Sequence, residues 1–212
     1  MNELDNNNKI FILNEGGICK TLALKKYASE NNIPVLRSKT ASLLTSLVAI
    51  KKPLRILEIG TAIGYSGTLI LENAPKEAVL HTIEKDETSV NLAKENFEKL
   101  GLTSRVKVLF GDAKDILPNL EEPYDFIFLD GPKAQYINYL PHLLRLLNVD
   151  GVLFADNVLY RGLVFSGQDI PHKVRTIVKN LEEFLIEISE NNELKTQIID
   201  LEDGVSISVK GN

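Results

Sequence analysis

Polar groups collect at the ends of apolar runs in this 212-residue chain. Asp130 follows YDFIFL and Asp156-Asn157 follows VLFA. All three offer hard oxygen donors. Two carboxylates and an amide oxygen, with water completing the shell, suit Mg²⁺ or a similar hard cation such as Mn²⁺ or Ca²⁺. Without a cation, two carboxylates brought close together would repel each other. Lys133 lies three residues after Asp130. A divalent cation beside it would disfavour its ammonium form, which makes it a candidate general base.

A second group of residues suits a different task. Glu58-x-Gly60-x-x-x-Gly64, followed by Ser66, closes the run LRILEI. Glycines here let a ligand approach the backbone, and the helix that follows offers free N–H groups. A dinucleotide loop would read G-x-G-x-x-G, but Ala62 and Tyr65 occupy its second and third glycine positions. The pattern therefore suits a cofactor without a pyrophosphate. Glu84 ends the next apolar run, 24 residues after Gly60, where an acidic side chain can accept from the ribose hydroxyls of an adenosine moiety. Each of these residues, taken alone, also suits an ordinary strand end or helix cap. What argues for a site is that five strand ends do this in step.

These groups need a scaffold that brings strand ends together. Leu54–Ile59, Val79–Ile83, Val106–Phe110, Tyr124–Leu129 and Val152–Ala155 read as nearly continuous apolar strands. Helical patterns alternate with them over Gly64–Asn73, Glu87–Leu100 (closed by Gly101), Ala134–Leu147 and Pro171–Glu190. That alternation predicts a parallel sheet covered on both faces. Leu194–Asp200 and Val205–Lys210 flank Asp203-Gly204 and predict an antiparallel hairpin at one edge. Two N-terminal helices, the second capped by Ser38, have no strand partner. They are expected to cap the functional edge or to form a subunit contact. The expectation is one domain over residues 1–212, with a helical cap (1–52) on an α/β core (53–212).

Composition narrows the classes further. Cys19 is the only cysteine, which excludes an internal disulfide and any cysteine-based zinc cluster. Net charge is −5, so the chain is not a generic polyanion binder. No apolar run is long enough to span a membrane, and residues 1–20 lack a secretory pattern, so a cytoplasmic setting is expected. His81, His142 and His172 show no ligand spacing, and no Ser/His/Asp arrangement suggests hydrolysis. Tryptophan is absent, so an aromatic wall over a substrate must come from Tyr or Phe.

LEIGTAIGYSG, TIEKD, FGDAKDIL, FIFLDGPKAQY and ADNVLYRGLV together resemble the metal-dependent O-methyltransferases of the catechol and caffeoyl-CoA type, which use S-adenosylmethionine (SAM). The resemblance implies the class I methyltransferase fold, a Rossmann-like, mostly parallel seven-stranded sheet. It places Glu58, Gly60, Gly64 and Ser66 at the methionine end of SAM and Glu84 at the ribose. Asp112 and Ala113 fall at the adenine, and Asp130 also borders the cofactor. Asp130, Asp156 and Asn157 are the implied metal ligands, and Lys133 the catalytic lysine. Tyr136 follows in K-x-x-Y spacing as a substrate-side candidate. Gly131-Pro132 departs from the two small residues common there, which bears on the loop carrying Lys133. Within the family, the chain looks most like the bacterial branch that methylates 5-hydroxyuridine at the tRNA wobble position. Small-catechol or phenylpropanoid methylation is the alternative, and a non-catalytic adenosine-binding module a second one. Arg37 and Arg161 are expected to flank the mouth and contact substrate. A homodimer is implied, with tRNA or a small catechol as partner.

Overall fold

The computed structural model of the protein describes residues 18–211. The Asn6–Asn8 run and the rest of the first 17 residues lie outside the described residues, as does the side chain of Cys19. In chain order the elements are α1 (Ile18–Glu30), α2 (Ser38–Lys51), β1 (Arg55–Ile59), α3 (Tyr65–Asn73), β2 (Val79–Glu84), α4 (Glu87–Lys99), β3 (Val106–Phe110), α5 (Ala113–Ile116), β4 (Tyr124–Leu129), α6 (Tyr136–Leu146), β5 (Leu147–Asp156), α7 (Arg175–Glu190), β6 (Leu194–Ile199) and β7 (Val205–Lys210).

The seven strands form one sheet in the order β3-β2-β1-β4-β5-β7-β6. β1 to β5 run parallel, while β7 is antiparallel to both β5 and β6. This is the architecture expected from the alternating apolar runs. Side chains along each strand point alternately to the two faces. Leu57, Ile59, Ile127 and Leu129 pack under α6 and α7. Ile56, Phe126, Phe128 and Phe154 pack under α1, α2 and α3. Helix α6 buries Tyr136, Tyr139, Leu140, Leu143 and Leu146, a stripe with helical spacing that faces the sheet. No helix among the described residues is long and apolar enough to cross a membrane.

Three local expectations change. Ser38 is the first helical residue of α2 and does not cap it. Its hydroxyl instead accepts from Lys25 Nζ at 2.6 Å, and the cap comes from a distant carboxylate, Glu202. Strand β5 begins at Leu147, five residues before the apolar core of the run. Asn148 and Asp150 hide that start in the sequence, yet Asn148 is satisfied by donating to Asp125 at 2.8 Å. The β6–β7 turn is a loop of residues 200–204 and not a two-residue turn at Asp203-Gly204, because the ladder closes at Ile199 and Val205. The N-terminal helices lie on a sheet face against α3 and do not lid the edge. Among the described residues of the N-terminal region, only the α1–α2 connector reaches over the strand ends.

Candidate active site

Register explains why the polar strand ends meet. Ile59 is level with Ile83 on one side and Leu129 on the other, and Leu129 is level with Ala155. The next residues, Gly60, Glu84, Asp130 and Asp156, therefore emerge together at one edge, where doubly wound sheets bind ligands. They border a cavity of about 450 Å³ walled by Pro34–Arg37, Gly60–Ala62, Tyr65, Ser66, Lys133, Asn157, Tyr160, Arg161 and Asp203. A neighbouring recess of about 180 Å³ shares Gly60, Glu84 and Asp130 and continues to Asp112, Ala113, Pro132 and Tyr139.

The β1–β2 side is built from backbone and buried hydrogen bonds. Gly60 has φ +101°, and a Cβ there would lie 2.6 Å from the carbonyl oxygen of Asp130. Only glycine fits, which keeps β1 and β4 in contact at the cavity floor. Glu84 accepts from the N–H groups of Ala62 (3.0 Å), Lys85 (2.9 Å) and Asp86 (3.0 Å). A carboxylate has about four acceptor sites, so it keeps capacity to accept from a ligand as well. Glu58 stands behind the cavity wall, fully buried, accepting from Ser66 at 2.5 Å and Thr82 at 2.6 Å. Thr61 lies 2.5 Å from Thr82, so the hydroxyls chain inwards from the cavity to Glu58. Burial pushes the Glu58 carboxyl up to about 7, against the opposing hydrogen bonds from Ser66 and Thr82. Gly64 also stands behind the wall, packed on the Phe97 ring. Of the four residues assigned to the methionine end, Gly60 and Ser66 therefore face the cavity, while Glu58 and Gly64 support it.

The β4–β5 side is charged. Lys133 Nζ donates to Asp130 Oδ1 at 2.6 Å. Burial pulls its ammonium down, but Tyr136 and Asp130 outweigh burial and hold it above the ordinary lysine value. The lowered value expected from the sequence belongs to a site holding a cation; without one, the Asp130 carboxylate supplies attraction where a cation would supply repulsion. Asp156 is nearly buried, and its carboxyl is pushed up to about 7 by burial and then by the charge of Asp130. Asn157 sits at φ +56° in the cavity wall, and its N–H donates to Asp156 Oδ1 at 2.7 Å. The donor set fits a hard divalent cation: two carboxylates on adjacent strands, electrostatically coupled, with an amide side chain beside them. Among the described residues, no group of three or more His, Cys, Asp or Glu side chains could hold a metal, so the amide of Asn157 would be needed.

A profile of the O-methyltransferase family matches residues 12–211. The chain belongs to that family. It is 36% identical over 154 residues to a catechol O-methyltransferase of Niastella koreensis, covering 68% of each chain. A crystallised Staphylococcus aureus protein, proposed to be a caffeoyl-CoA O-methyltransferase, superposes with a TM-score of 0.83 at 31% identity, covering 90% of this chain and 92% of that one. The O-methyltransferase TomG from Streptomyces achromogenes, solved in complex with SAM, gives a TM-score of 0.82 at 25% identity, with 91% and 90% covered.

Tyr136, expected on the substrate side, does not line the cavity in this methyltransferase. It is fully buried, its hydroxyl shared between the carbonyls of Leu129 (3.0 Å) and Asp156 (3.1 Å), and its ring packs edge-on against Phe184. It ties the ends of β4 and β5 together and lies beneath Lys133, whose Nζ is 5.3 Å from its ring centre. Pro132 opens the short turn carrying Lys133, which still reaches the cavity despite the Gly131-Pro132 departure. Arg37 and Arg161 are both exposed at the mouth. Tyr65 and Tyr160 are the aromatic lining that the lack of tryptophan anticipated. Asp112 and Ala113 reach the smaller recess, where Asp112 also caps α5 through the N–H of Lys114 at 3.0 Å. Thr61, Thr82, Tyr139, Tyr160, Glu202 and Asp203 were not singled out by the sequence. Thr82 carried one signal, a polar residue inside an apolar strand level with Glu58.

Proposed function

We propose that this family member transfers the methyl group of SAM to a hydroxyl that has a neighbouring oxygen, with a divalent cation at Asp130, Asp156 and Asn157. The observation that carries the reading is the pair of carboxylates on adjacent strand ends, facing one cavity together with Lys133 and the Gly60 loop. Gly60, Thr61 and Ser66 would cradle the methionine end, Glu84 the ribose, and Asp112 with Ala113 the adenine in the smaller recess. Glu58 acts at one remove by orienting Ser66. SAM supplies an electrophilic methyl carbon on a sulfonium centre. A cation at the acidic site would lower the acceptor hydroxyl's pKa and disfavour the ammonium of Lys133.

The chain's own residues do the rest. Lys133 is held on the cavity side of β4 by Pro132 and by the ring of Tyr136. Having lost its own proton, its amine takes the proton of the acceptor hydroxyl. Tyr136, buried below, fixes the separation of the two strand ends that carry Asp130 and Asp156. Tyr65 and Tyr160 restrict the acceptor ring, so that orientation replaces a bimolecular encounter.

The acceptor in this reading is 5-hydroxyuridine in tRNA. Its 4-carbonyl and 5-hydroxyl are vicinal, and Arg37 and Arg161 at the mouth suit a phosphate backbone. A small catechol is the second reading, favoured by the similarity to the Niastella koreensis catechol O-methyltransferase. The resemblance behind both readings also implies a homodimer in the cytoplasm. Mass spectrometry of tRNA nucleosides from cells lacking the protein tests the acceptor. Accumulated 5-hydroxyuridine with loss of its methylated products is expected. Unchanged tRNA, with methylation of 3,4-dihydroxybenzoate by the purified protein, selects the catechol.

A further inference from the structure

The two arginines at the mouth belong to segments far apart in the chain. Arg37 sits immediately before α2, and Arg161 in the loop after β5. Both segments are fastened to one five-residue piece, the 200–204 loop between β6 and β7. The Glu202 carboxylate accepts from the N–H groups of Lys39 (3.2 Å) and Thr40 (2.9 Å) and from the Thr40 hydroxyl (2.7 Å). It thus caps α2, which has no cap of its own. The adjacent Asp203 accepts from the N–H of Arg161 through its side chain and from Leu159 through its carbonyl at 3.0 Å. The Gly204 carbonyl accepts from Val158 at 3.0 Å, and a Cβ at Gly204 would lie 2.2 Å from the Leu159 side chain. Loop and wall are in contact with no room to spare.

Backbone conformation adds a second observation. Glu202 has φ +57°, and Tyr160 and Arg161 have φ +43° and +59°. Side chains other than glycine adopt this region at a cost and persist in it only where the surroundings hold them. The strained residues lie at the two ends of one bracket. Glu202 does not line the cavity, so its effect on a ligand passes through the segments it holds and through its charge beside Arg37.

We propose that Glu202 and Asp203 are positioning residues: they set the gap between the Arg37 and Arg161 walls and thereby the affinity for the methyl acceptor, leaving SAM binding alone. The inference rests on the acceptor lying between those walls, as in the function proposed above. Two arginines at a fixed gap suit an acceptor that carries an anionic group beside its vicinal oxygens, either a phosphate or a carboxylate.

The test uses Glu202→Ala and Glu202→Gly in the full chain. The glycine variant removes the cap while relieving the left-handed backbone, so it guards against simple misfolding. Two readouts are taken. Amide hydrogen exchange should speed at least tenfold at Lys39 and Thr40 in both variants, with Arg161 unchanged. Methyl transfer to 3,4-dihydroxybenzoate, and to an anticodon stem-loop carrying 5-hydroxyuridine, should show an acceptor KM raised about five- to tenfold. The kcat should change less than twofold, and the calorimetric affinity for SAM should hold. Glu202→Gln, which keeps one acceptor oxygen, should recover part of the KM. Unchanged exchange overturns the bracket. Faster exchange with an unchanged KM overturns its role in acceptor affinity. If the wild-type protein methylates neither probe, the functional reading fails, and the exchange data alone decide the bracket.

Discussion

The two halves of the cavity are made differently. On the β1–β2 side, the wall is the turn from Gly60 into the start of α3 at Ser66 together with Glu84 at the end of β2, backed by buried hydroxyls and a buried glutamate. On the β4–β5 side, the wall is assembled from the α1–α2 connector, the β4 end, the β5 end and the β6–β7 loop. The first half offers mostly backbone and neutral donors. The second offers Asp130, Lys133, Asp156, Arg37 and Arg161. A site of the first kind rests on one short turn and the neighbouring strand end. A site of the second kind has more independent parts to vary, which suits the ligand that differs between relatives.

That contrast can be broken by substitution, beginning with the largest effect. Asp156→Ala should lower kcat/KM for the acceptor more than 100-fold while calorimetry shows SAM affinity within about threefold. Equal loss of both would mean that the halves are not separable. Glu84→Ala should do the converse. SAM binding should weaken about 10- to 100-fold, because Glu84 holds the N–H of Ala62 and in the proposed function would hold the ribose, while kcat at saturating SAM falls by less than tenfold.

Protons sharpen the same contrast. Burial and the charge of Asp130 push the Asp156 carboxyl up to about 7, and a metal ligand must be deprotonated. Mg²⁺ affinity, followed by calorimetry, should therefore rise about tenfold between pH 6 and pH 8, and a flat profile would remove Asp156 from the ligand set. Glu58 acts on stability instead. Its carboxyl rises from the ordinary value of 4.5 to about 7, so in that window the folded chain holds more protons than the unfolded one. Its contribution is full below about 4.5 and is lost as pH rises through 7. Glu58→Gln should flatten this dependence, raising Tm by a few degrees at pH 8 relative to the wild type and changing it little at pH 5, as read by thermal unfolding. Glu202 has the opposite sign and the smallest effect. Burial alone would raise its carboxyl, but hydrogen bonds from Thr40 and Lys39, with the charge of Arg37, hold it below the ordinary value. The α2 cap should loosen only as pH falls through that lowered value, visible as faster exchange at Thr40.

The same division marks what the sequence discloses. The sheet, its parallel order and the hairpin follow from apolar runs whose period and length are local properties. Gly60, Glu84, Asp130, Asp156 and Asn157 could be placed at one edge because they follow on such runs, and Ser66 and Lys133 because they lie in the short connections just beyond. That Glu58 stands behind the wall is not legible in the motif, because its side chain points to a sheet face where Thr82 and Ser66 donate to it. The burial of Tyr136 is not legible in the K-x-x-Y spacing, because the stripe of α6 on which it lies is completed by Phe184 from a helix 48 residues away. Glu202 was invisible because its partners, Lys39 and Thr40, lie more than 160 residues earlier. Hydrogen bonds of that span leave no trace in local spacing.

The most direct test is the initial rate of methyl transfer from SAM to paired acceptors that differ only in a vicinal oxygen, measured with excess chelator and again after Mg²⁺ is restored. The account predicts transfer to the vicinal acceptor alone, abolished by chelator and recovered with the ion. Equal rates for an isolated phenol, or full turnover in chelator, would contradict it.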